Sequence, residues 1–64
     1  MNKKSKLYYV DTEFGCAIRA ASDIDEARRA ALREVGSNGY KSVRPAKTED
    51  IEWVKAMGGY VPNI

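Results

Sequence analysis

The chain reads as an α+β domain: a small antiparallel three-stranded sheet with helices on one face, in the order β-β-α-β-α. Three observations predict it. Two short runs of strand formers, K-L-Y-Y-V-D and C-A-I-R-A-A, are joined by four residues ending in glycine, which is the pattern of a hairpin. The run S-D-I-D-E-A-R-R-A-A-L-R-E-V-G spaces its apolar residues helically and carries a start and a stop signal. A third strand-like stretch, Tyr40 to Arg44, precedes a second helical run that ends in two glycines.

In chain order, residues 1–5 are polar and basic and read as a flexible tail. The first strand spans Lys6 to Asp11, with Tyr8 and Val10 on the core face and Leu7 and Tyr9 outside. Thr12, Glu13, Phe14 and Gly15 form the turn, Gly15 being the residue suited to positive φ. In the second strand, Cys16 to Ala21, period two sets Cys16, Ile18 and Ala20 on one face and Arg19 on the other.

The long helix begins at Ser22, read as N-cap, with Asp25 three residues on as the partner of a shortened capping box. Asp23, Asp25 and Glu26 then sit at the positive end of the helix dipole and Arg33 near the negative end. Gly36 is the expected left-handed stop. At 100° per residue Ile24, Ala27, Ala31 and Val35 share a face, with Leu32 at its edge and Glu26, Arg29 and Arg33 opposite. So many alanines let a helix lie close on a sheet.

After a loop at Ser37 to Gly39 comes the third strand, with Val43 inward and Pro45 ending it or confining it to an edge. Thr48 is the expected cap of the second helix, Glu49 and Asp50 lie in its first turn, and Gly58 stops it. Ile51, Trp53, Val54 and Met57 spread over a wider arc than one small sheet needs, and Tyr60, Val61 and Ile64 follow as an apolar tail expected to pack.

Sixty-four residues make a single domain, 1–64, near the size at which one core only just offsets chain entropy. Cys16 is the only cysteine and there is no histidine, so neither a disulfide nor a zinc site can supplement that core. Self-association is the remaining route, and a homodimer is expected. No apolar run is long enough for a signal peptide core or a membrane span, so the expectation is a cytoplasmic protein with no membrane contact. The net charge of +2 resides in Lys3, Lys4 and Lys6; without them eight basic side chains face nine acidic ones. A nucleic-acid binder ordinarily carries its basic excess on the folded body.

The residue types for catalysis are not gathered here. Nucleophilic catalysis wants an activated group beside a base, and Cys16 falls at a strand start, away from any helix N-terminus that would lower its pKa. Asp23, Asp25 and Glu26 have the spacing of an ordinary first helical turn, which accounts for them without a metal. The glycines form neither G-x-x-x-x-G-K-[ST] nor G-x-G-x-x-G. The reading is of a protein that is not an enzyme, with no catalytic, cofactor or metal residues and no cofactor.

The run E-D-I-E-W-V-K-A-M-G-G-Y-V-P, following a hairpin and the A-S-x-x-x-E-A start of the long helix, resembles small phage and prophage proteins of uncharacterised function. The resemblance spans most of the chain, with E-D-I-x-W-V-x-A-M-G-G at its centre. It implies a viral or prophage origin, host cytoplasm as location, and a stoichiometric role with no catalytic residue.

Two binding surfaces follow. Leu7, Tyr9 and Arg19 are expected on a sheet face turned from the helices, and Trp53, Met57 and Tyr60 form either a second small core or the anchors of a protein interface. The function expected first is a small protein-interaction module acting on a host or viral protein, an inhibitor of a bacterial defence or host enzyme being its most concrete form. The alternative is a nucleic-acid-binding or regulatory module, with Lys3, Lys4 and Lys6 on phosphates and Tyr9 and Arg19 stacking on bases.

Overall fold

The computed structural model describes residues 5–62. Lys3, Lys4, most of the basic tail and Ile64 lie outside the described residues. The fold class stands as expected: three antiparallel strands and two helices in the order β1 (Lys6–Thr12), β2 (Gly15–Ala21), α1 (Ile24–Gly39), β3 (Tyr40–Pro45), α2 (Thr48–Ala56). The sheet order is β2-β1-β3, so β1 is central and α1 carries the chain from one edge to the other.

β1 and β2 turn over two residues, Glu13 and Phe14, which closes Thr12 on Gly15. Gly15 takes φ 125°, a conformation side chains rarely adopt. The Thr12 hydroxyl donates to the Gly15 carbonyl at 2.8 Å and accepts from the Phe14 N–H at 3.1 Å. The Glu13 N–H donates to the Gly39 carbonyl at 2.8 Å, tying the hairpin tip to the end of α1.

The α1 cap lies one residue later than the sequence suggested. Asp23 is the N-cap, its carboxylate accepting from the Glu26 N–H at 2.8 Å, while the Glu26 side chain reaches back to the N–H and hydroxyl of Ser22. Ser22 and Asp23 both have an acidic residue three positions on, and Asp23 with Glu26 is the pair that forms. Helical geometry breaks at Gly36, with φ 76° and ψ 168°, before a further turn to Gly39. The buried stripe is Ala27 and Ala31, with Val35 and Leu32 half-buried; Ile24, expected on this face, is 40 % exposed because it sits in the first turn.

Partnered residues of an antiparallel pair share a face. Tyr8 pairs with Arg19, and Val10 with both Ala17 and Val43. On this face α1 packs across all three strands, and Tyr8, Ala21, Ala27 and Val43 form one cluster. Tyr9 pairs with Ile18 and Arg44 on the other face. Ile18 is wholly buried and Val54 nearly so, α2 packs on β2, and Asp50 of α2 binds Arg44. Where the sequence placed both helices on one face, the register therefore divides them, α1 over Tyr8 and Val10, α2 over Ile18. Two large buried side chains of opposite parity, Tyr8 and Ile18, require cover on both sides.

Lys47, not Thr48, is the N-cap residue of α2, and its N–H donates to Asp50 at 2.9 Å. The end of α2 satisfies its carbonyls in a Schellman arrangement: Gly58 N–H to Lys55 at 3.0 Å and Gly59 N–H to Val54 at 2.9 Å, with Gly58 at φ 84°. A Cβ on Gly59 would stand 2.6 Å from Val54 Cγ1, so both glycines of the pair are needed.

Candidate functional site

The site grows from the row Ile18–Tyr9–Arg44 across the sheet, which the register brings together from three strands. Arg44 stands over the Tyr9 ring, its guanidinium carbon 4.6 Å from the centroid, and clasps Asp50 with two bonds of 2.6 and 2.8 Å. A bidentate fork is the strong form of this contact. Arg44 holds the Asp50 carboxyl below its usual range, helped by the Lys47 N–H, and Asp50 in turn raises the Arg44 pKa. The half-buried Cys16 thiol nearby, with burial, pushes Tyr9 up to about 12.

The clasp sets the orientation of α2. The buried positions of α2 are Asp50 and Val54, one turn apart on the same face, while Trp53 lies to one side of them and Met57 caps the helix end. With Asp50 and Val54 turned in, Trp53 and Met57 stand toward solvent. They are 57 % and 53 % exposed, and Tyr60 beyond the helix is 73 % exposed. The reading of these three as a second small core is thus corrected; the buried apolar contact of α2 is Val54 alone.

Of the residues expected on the open sheet face, Leu7 and Tyr9 share a face and are half-buried. Arg19 does not join them. It pairs with Tyr8, lies on the α1 side, and binds Glu34 with both oxygens at 2.9 Å. Arg19 and Tyr9 therefore cannot stack together on bases from one face, and of the proposed phosphate contacts only Lys6, which is exposed, lies within the described residues. The position that Arg19 was expected to hold beside Tyr9 belongs to Arg44. Its strand neighbours do not mark it out; it becomes visible only once β3 is registered on β1.

Among the described residues no pocket opens, no three potential metal-binding side chains gather, and no helix is long and apolar enough to cross a membrane. No protein-family model, curated protein or solved structure matches the chain.

Proposed function

We propose that this protein is a small protein-interaction module that acts stoichiometrically rather than as an enzyme, binding a host or viral protein through the outer flank of α2. The observation that carries the reading is the exposure of Trp53, Met57 and Tyr60 near one end of the chain, where among the described residues three of the seven buried apolar ones are alanines. Large apolar side chains shown together to water are the anchors on which protein interfaces concentrate their energy. The resemblance to small phage and prophage proteins supports the same reading, with the host cytoplasm as the place of action and inhibition of a defence or host enzyme as its concrete form.

Affinity capture from bacterial lysate with the native chain beside Trp53→Ala tests this. A protein retained by the first and lost with the second is the expected result, with the variant's own stability changed by no more than about 0.5 kcal/mol, as for other exposed positions. Equal retention by both, or none by either, would sink the proposal.

A further inference from the structure

We propose that α2 is a latched cover that opens as a unit, without α1 and the rest of the sheet, and that the Tyr9–Arg44–Asp50 clasp is its latch. The Ala46 N–H donates to the Leu7 carbonyl at 3.0 Å, which fixes the alternation along β1: Leu7, Tyr9 and Asp11 turn their backbone groups to β3, Tyr8 and Val10 to β2. Their β2 partners Arg19 and Ala17 turn inward, and Cys16, Ile18 and Ala20 turn their N–H and C=O away from the sheet.

β2 is therefore an edge strand with a row of outward backbone groups, the feature that pairs with other chains unless it is protected. The other edge is blunted at one position, because the same alternation turns Pro45 of β3 outward, where it has no N–H to offer. Ala20 is exposed and Cys16 half-buried, yet Ile18 between them has no exposure at all. α1 lies on the Tyr8 face, so the helix that packs on β2 over the Ile18 face is α2.

What holds the cover is narrow. One apolar side chain, Val54, and one acidic one, Asp50, are the buried residues of α2, and the Arg44 half of the clasp is 47 % exposed. α1, by contrast, is fixed to all three strands, to the hairpin tip and to Arg19. An element with few buried contacts and a solvent-facing tether opens below the global free energy.

Native-state hydrogen exchange on the full chain reads this directly, because the outward Ile18 N–H depends on α2 for its shelter whereas Ala17 and Arg19 are protected by β1. The expected pattern is that Ile18 exchanges in step with Val54, Lys55 and Ala56, faster than Ala17 and Arg19. Arg44→Met, which leaves the Lys47 cap intact, speeds Ile18 and the α2 amides about tenfold and leaves Ala17 and Arg19 unchanged. If Ile18 and the α2 amides exchange at the rate of Ala17 and Arg19 in the native chain, or if Arg44→Met accelerates all of them equally, the molecule opens as one unit and the proposal fails.

Discussion

α1 and α2 cover opposite faces of one sheet by different means. α1 is sixteen residues long, capped by Asp23, and buries only small residues, Ala27, Ala31 and Gly39, so its backbone lies close to the strands and it touches all three. α2 is nine residues long, buries Val54 and Asp50, packs on β2, and reaches β3 through the Asp50–Arg44 fork. Close approach over a wide area holds the first helix; one buried apolar side chain with half-buried Ile51 beside it, and a charged fork, hold the second. The difference teaches that in so small a domain one helix can be given to the core while the other keeps its large side chains for the surface.

The contrast can be broken hardest at Ile18, which has no exposure and lies under the weaker helix. Ile18→Ala should cost about 2–5 kcal/mol in a denaturant titration, by lost transfer energy and the cavity left behind. Since a domain of this length holds about 3–10 kcal/mol in all, that is a large share of its stability. A loss well under 1 kcal/mol would mean that α2 collapses readily onto the gap.

The next test falls on the other helix. Ala31 is 2 % exposed on the close-packed stripe, so Ala31→Leu should overpack it and cost about 1–3 kcal/mol in the same titration. A neutral or stabilising outcome would show that α1 stands off the sheet.

The smallest effect sharpens the role of the clasp, and its sign follows from the depressed Asp50 pKa. The ionised carboxylate is favoured by folding, so its contribution is complete above the unfolded value near 3.8 and is lost as pH falls through the lower folded value. Thermal melts of the native chain and Asp50→Asn should therefore differ by a constant amount above about pH 5 and converge below 3.8. A gap that persists unchanged into strong acid would remove the Arg44–Asp50 contact from the account of α2.

Much of the architecture was legible because it is local. The hairpin, with Gly15 at positive φ, the break at Gly36 and the Gly58 stop each rest on a few adjacent residues whose conformational limits are written in their side chains. The one-residue error at the α1 cap is local too, since Ser22 and Asp23 are both good caps and their neighbours decide between them. The candidate interface was legible only in part. Trp53, Met57 and Tyr60 stood out by size, but whether they faced inward required knowing where α2 lies. Arg19 was misplaced and Arg44 missed for a shared reason: which residues stand beside Tyr9 depends on strand register.

By itself, then, the order of residues determined the elements and their order, and their ends to within a few residues, because periodicity, capping and glycine conformations act over a few residues. Only the folded chain decided that Tyr9 meets Arg44 rather than Arg19 and that the helices take opposite faces. Those outcomes are set by contacts between residues far apart in sequence, where shifting a strand by one position exchanges every side chain between faces.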